Sequence, residues 1–155
     1  MPRLINAATS FAQQGKHPAF YVRTRNNSSF TANGTEKVTW ATGNVTDTVG
    51  GWNTTNNRYI VKVKGLYVFA YEDLPYFAGA TSYYAEFYLY KNGSSAGTII
   101  HSSYQATRNY EPVHGTVYSE CEPGDYYEVY RFTGNSATSN SNGSYAKFSG
   151  HLVSV

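Results

Sequence analysis

Residue types able to do chemistry are few in this 155-residue chain, and they are scattered. The densest acidic group is Glu120, Glu122 and Asp125, wrapped around the Pro123-Gly124 step. Three carboxylates so close in sequence offer hard oxygen ligands to Ca²⁺. The simpler reading is a tight turn whose Asp caps backbone N–H groups, and it is the one favoured here. Glu72-Asp73 before Leu74-Pro75 is read the same way. The four histidines, His17, His101, His114 and His151, show no i, i+4 pairing and no metal-ligand spacing. Serine, histidine and aspartate are all present, so composition alone leaves acyl transfer open. No P-loop or dinucleotide fingerprint occurs. Cys121 is the single cysteine, which excludes an intrachain disulfide and a thiolate zinc site; its default role is a small buried hydrophobe. For sugar recognition, which stacks aromatic rings on pyranose faces, the loop candidates are Trp52 in "GGWNTTNN" and Tyr104 and Tyr110 in "YQATRNY". The expectation is a protein that is not an enzyme and carries no cofactor, with Ca²⁺ at Glu120, Glu122 and Asp125 the one metal option.

The elements that would position these residues are strands. Apolar residues make up 41% and charged ones 14%, and Tyr is the outlier at 16 residues. Aromatic and β-branched side chains suit pleated, half-buried surfaces. From Ala19 onward strands alternate with turns: "AFYVRTR", "KVTW", a weak segment near Val45–Val49, "RYIVKVKG" and "LYVFAYEDL" around Gly65, read as a hairpin turn or bulge. "SYYAEFYLYKNGSSAGTIIHSSYQA" reads as two strands joined at Asn92-Gly93, a strong hairpin dipeptide. "VHGTVYSECEPGDYYEVYRF" reads as two more strands paired around the turn Glu122-Pro123-Gly124-Asp125, and the closing "SYAKFSGHLVSV" completes the set. Eight to ten short strands without an internal helix predict a two-sheet sandwich or barrel.

Residues 1–18 differ. Leu4, Ile5 and Phe11, with Ala8 and Ala12, have the spacing of a short amphipathic helix that Pro18 would end. Such a run needs a partner surface, so 1–18 is read as an attachment arm and 19–155 as the domain. The start lacks the pattern of a secretory signal, and no apolar run approaches membrane-spanning length. The net charge is +2 with no clustered basic footprint, which argues against nucleic acid as a partner. Arg23/Arg25 and Lys62/Lys64, at period-2 spacing, read as solvated edges or register devices.

In order along the chain, "AFYVRT", "NRYIVKVKGLYVFAYE", "FYLYKNGS", "GTVYSECEPGDYYEVYRF" and "YAKFSGHLVSV" resemble the successive segments of the complement C1q globular-head family over roughly residues 19–155. The resemblance implies a ten-stranded, two-sheet jelly-roll sandwich of the tumour-necrosis-factor type, assembled as a homotrimer with its first and last strands together near the axis. No collagen-like stalk precedes the domain, which departs from the secreted animal members. A bacteriophage or other microbial version is therefore expected, of the kind found as fibre tips and virion-surface proteins.

Trimerisation also has a physical motive. In "LYVFAYE", Leu66, Val68 and Ala70 form one face and Tyr67, Phe69 and Tyr71 the other, and both are apolar. The same holds for "YYAEFYLY" and the last strand. One face can fill the core; the second would expose more apolar surface than monomers usually carry. A three-fold assembly buries it, over on the order of 2,000 Å² or more. Phe20, Tyr67, Phe69, Tyr71, Tyr84, Tyr88, Tyr90, Phe148 and Val153 are the candidates for interface or core, with the assignment of faces open. The function expected is a structural module on a virion surface, either capsid decoration or a fibre tip, attached to capsid or fibre protein through Leu4, Ile5 and Phe11. The alternative is a free-standing extracellular lectin-like or receptor-binding domain for host-surface glycans, with no membrane partner in either case.

Overall fold

The computed structural model describes residues 17–26, 31, 33–76, 83–95, 99–105, 110, 112–134 and 145–155, with backbone alone at 83, 99 and 101–105. Eleven strands follow in order: β1 (Ala19–Arg23), β2 (Gly34–Lys37), β3 (Val45–Asp47), β4 (Trp52–Asn53), β5 (Arg58–Ile60), β6 (Gly65–Asp73), β7 (Tyr83–Lys91), β8 (Ile99–Gln105), β9 (Val113–Cys121), β10 (Tyr126–Gly134) and β11 (Lys147–Ser154). One sheet has the order β3-β1-β11-β6-β9. The other runs β4-β5-β10-β7-β8, with β2 pairing β10 beyond the end of β5. All the pairings are antiparallel. With the two-residue β4 set aside, ten strands divide five and five, the sandwich expected from the sequence. Among the described residues no helix is long and apolar enough to cross a membrane.

The alternation of β6 decides which face is core. Tyr67, Phe69 and Tyr71 are buried inside the sandwich, and Leu66, Val68 and Ala70 point outward. The closest ring pairs bridging the two sheets are Phe20 with Tyr59 at 4.2 Å, Phe69 with Tyr127 at 4.2 Å, and Tyr71 with Phe87 at 5.3 Å between centroids. Each such pair contributes about 0.5–1.5 kcal/mol beyond its area burial. The buried tyrosines of β6 place their hydroxyls on partners. Tyr67 donates to the Val63 carbonyl at 3.0 Å, and Tyr71 donates to Asp73 Oδ2 at 2.9 Å.

Two connections differ from the sequence reading. Gly65 is not a hairpin turn: β5 and β6 lie in different sheets, and Gly65 starts the strand after the crossover. Its φ is 151°, and a Cβ there would lie 2.2 Å from the Ser154 carbonyl oxygen, so only glycine fits. Likewise β9 and β10 do not pair with each other; the Glu122–Asp125 turn carries the chain across to the other sheet. The Asn92-Gly93 turn does form the β7–β8 hairpin, with both residues at positive φ and reciprocal Lys91–Ser94 backbone bonds of 2.9 and 3.0 Å.

Candidate assembly face and ligand sites

The outward face of the five-stranded sheet is built in cross-strand rows. One row runs Ala19, His151, Val68, Tyr118 and the next Tyr21, Ser149, Ala70, Thr116, on β1, β11, β6 and β9. Tyr118 is 64% exposed, and Tyr21 and Val153 are also open to solvent. Among the described residues, every large hydrophobic side chain left exposed lies on a strand of this sheet, on the short leads into β9 and β11, or at the end of β11: Tyr21, Tyr110, Tyr118, Tyr145, Val153 and Val155. None lies on the six-stranded sheet.

That sheet's outward face is aromatic as well, but its rings cover one another. Tyr90 stacks on Tyr130 at 4.0 Å, Tyr88 meets Tyr90 edge-on, and Tyr84 meets Phe132 in the same way. Tyr84 and Tyr88 both donate their hydroxyls to the carboxylate of Glu86 between them. Burial, and then Glu86, push the Tyr88 hydroxyl well above the usual phenol range. Glu128 accepts from Lys37, and Arg58 lies 4.1 Å from the Tyr126 ring centre. Cross-strand pairs of this kind stabilise the sheet they sit on.

The nine interface-or-core candidates thus fall into three places. Phe20, Tyr67, Phe69, Tyr71 and Phe148 are in the core; Tyr84, Tyr88 and Tyr90 form the half-buried ladder on the six-stranded sheet; Val153 is exposed on β11. The two rings open on the strands of the five-stranded face, Tyr21 and Tyr118, were not singled out from the sequence. Strict alternation read outward from Tyr67, Phe69 and Tyr71 through the β6–β9 register would have found Tyr118.

A buried ionic group was also missed. Arg25 Nε lies 3.0 Å from Asp73 Oδ2, both side chains fully buried, with Tyr71 on the same carboxylate oxygen and Arg131 nearby. Arg25 is therefore not the solvated partner of Arg23. Thr24 between them has φ 65°, which breaks the strand's alternation and turns Arg25 inward while Arg23 stays outside. Burial raises the Asp73 carboxyl, and Arg25 opposes that shift. Burial and then Arg25 depress Arg131 to about 9.

The acids of the β9–β10 turn are held by the protein's own groups. Asp125 accepts from the Glu122 N–H at 2.9 Å and the Asn92 side-chain amide at 2.8 Å, and pairs with Lys91 at 2.8 Å. Burial alone would raise its carboxyl, but these donors outweigh it and hold it at about 2. Glu122 pairs with Lys64, and Glu120 projects from the exposed face of β9. The calcium reading of Glu120, Glu122 and Asp125 is corrected accordingly: among the described residues no three acidic, His or Cys side chains gather around one point.

Trp52 is not a free loop ring; it is half-buried against Phe20 and Phe148, and its backbone N–H donates to Asp47 Oδ2. Tyr110 is 57% exposed and packs 4.7 Å from Tyr76. Tyr104 sits opposite Tyr84 in the β7–β8 register, its side chain outside the described residues. Leu4, Ile5 and Phe11 also lie outside them. Cys121 is buried, its sulfur 3.1 Å from the Tyr127 hydroxyl; burial raises the thiol, away from reactivity. Residues 93–97 have the spacing Gly-x-Ser-x-Gly, a match overlooked when the motif was taken as absent. Asn92 and Gly93 form a turn after β7, whereas a nucleophile elbow requires a strand feeding a helix.

No protein-family model matches the sequence, and no curated protein matches it. Solved structures do match. The globular domain of zebrafish complement 1qA superposes with a TM-score of 0.61 at 21% identity, covering 89% of this chain and 98% of that one. Murine APRIL superposes at 0.56 with 12% identity, covering 88% of this chain and all of the other. At these identities the likeness is one of architecture: the chain has a C1q/TNF-like fold.

Proposed function

We propose that this protein is a non-enzymatic, homotrimeric binding or structural module whose subunits meet through the outward face of the five-stranded sheet. The observation carrying this reading is the segregation of exposed hydrophobics to that sheet, with Leu66, Val68 and Ala70 on β6 between β11 and β9 and Tyr118 beside them. C1q/TNF-like domains are generally trimeric binding modules, which agrees with the placement. Sedimentation of the purified chain at micromolar concentration tests it, with three times the 17.2 kDa chain mass expected. A monomer would sink the proposal.

The setting proposed is a virion surface, as capsid decoration or fibre tip, with residues 1–18 as the anchor. Support comes from the apolar spacing of Leu4, Ile5 and Phe11 in the arm. Removing residues 2–17 is expected to abolish attachment to the particle while leaving a folded trimer; retained attachment would contradict it. A second reading, recognition of host-surface glycans, is favoured by one observation, the Tyr76–Tyr110 ring pair with Tyr110 open to solvent. Glycan-array binding lost in Tyr110→Ala, with oligomeric mass unchanged, would select it.

A further inference from the structure

A cleft of about 440 Å³ opens where the end of β6 meets the starts of β9 and β11. This is the end of the sheet away from Pro18 and Ser154. Leu74, Val113 and Asp73 form its deeper wall, and Glu72, His114, Tyr145 and Lys147 stand at its more open rim. The volume lies in the range of small-molecule sites, and a mixed apolar wall with a few polar groups is their usual composition.

The polar groups are ordered by the sheet register. Arg23, Lys147, Glu72 and His114 occupy one cross-strand row over β1, β11, β6 and β9. Asp73 is held from behind by Arg25, Tyr71 and the Leu74 N–H, so its oxygens are engaged. The Lys147–Glu72 pair, at 2.8 Å, is different: both side chains are largely exposed. Exposed pairs contribute little and exchange partners readily. A ligand carboxylate arriving here meets Lys147 with Arg23 next to it and a His114 ring nitrogen, while Glu72 is freed to accept a hydroxyl. Tyr145 offers a ring face, and the Tyr76–Tyr110 pair continues the aromatic surface from the adjoining loops.

We propose that this cleft binds a carboxylate-bearing saccharide, its acid on Lys147 and His114, a hydroxyl on Glu72 and its apolar face against Tyr145. Ring stacking with paired acid and hydroxyl recognition is what these groups can supply together. The site goes beyond the assembly reading and does not depend on it. Glu72 follows Ala70 by two residues on the same outward face of β6, so the cleft borders the proposed assembly face at the end of the sheet away from Pro18 and Ser154.

Saturation-transfer NMR on the full chain tests the proposal with 3′-sialyllactose, glucuronate, lactose and acetate. At least one acidic sugar is expected to bind, with lactose and acetate each about tenfold weaker or more. Lys147→Ala is expected to erase the preference for acid over lactose, and Tyr145→Ala to weaken both. Both side chains are at the surface, and circular dichroism of each variant checks the fold. Silence from both acidic sugars, equal binding of lactose, acetate competing as well as the sugar, or binding indifferent to both variants would each overturn the proposal. Sedimentation of the same samples separates a lost site from a lost assembly.

Discussion

Asp125 and Asp73 are both aspartates on turns or strand ends, and their surroundings drive them in opposite directions. Asp125 is held at about 2, below its ordinary 3.8, so folding favours its ionised form. Its contribution to stability is present above about pH 4 and is lost as the pH falls towards 2. Asp125→Asn should flatten the acid limb of a urea-denaturation series over that range, with a difference at neutral pH of about 2 kcal/mol at most. Asp73 has the opposite sign, raised by burial, so the comparison is made between variant and parent rather than on one curve. Removing Asp73 alone leaves Arg25 without its carboxylate in the core, and Asp73→Ala is expected to cost about 3–5 kcal/mol in chemical denaturation. The double change Arg25→Met, Asp73→Leu should recover much of that loss, because it removes both charges. The Asp125 turn was legible in the sequence because Pro-Gly-Asp is local chemistry. The Arg25–Asp73 pair was not, because one positive φ at Thr24 reverses the facing of everything after it.

At the scale of elements, the strands and the Asn92-Gly93 hairpin could be read from period and turn residues. What could not be read was which sheet each strand joins. An apolar run encodes a buried face, not a neighbour, so β5 to β6 and β9 to β10 looked like local pairs. The crossover at Gly65 and the tight packing at Gly150 carry the cost of that topology. A Cβ at Gly150 would lie 2.7 Å from the rings of Phe20 and Phe69. Gly65→Ala and Gly150→Ala are each expected to destabilise by about 2–4 kcal/mol, through φ strain and backbone clash in the first and overpacking in the second. Thermal or urea unfolding of each variant checks both.

At the scale of the molecule, the excess of tyrosine has two explanations. Some rings fill the core or tile the six-stranded sheet, and Tyr21, Tyr118 and Tyr145 stand open on the other side. The sequence revealed the excess of apolar faces but not their division, because both sheets carry them. Under the proposed assembly, Tyr118→Glu and Val68→Glu should each convert the trimer to monomer in sedimentation. Tyr88→Ser, on the opposite sheet, should leave the trimer intact. One further consequence follows from the pairing of β1 with β11. The Leu152 N–H donates to the Pro18 carbonyl at 2.9 Å, so the entry and exit of the domain are neighbours. Two residues separate Leu152 from Val155, so a short peptide could join Val155 to His17 in a closed ring. Reopening that ring at Asn92-Gly93 would give a permuted chain with the same sheets, and any cargo fused there would emerge at the same end of the sandwich as Pro18 and Ser154, from the other sheet.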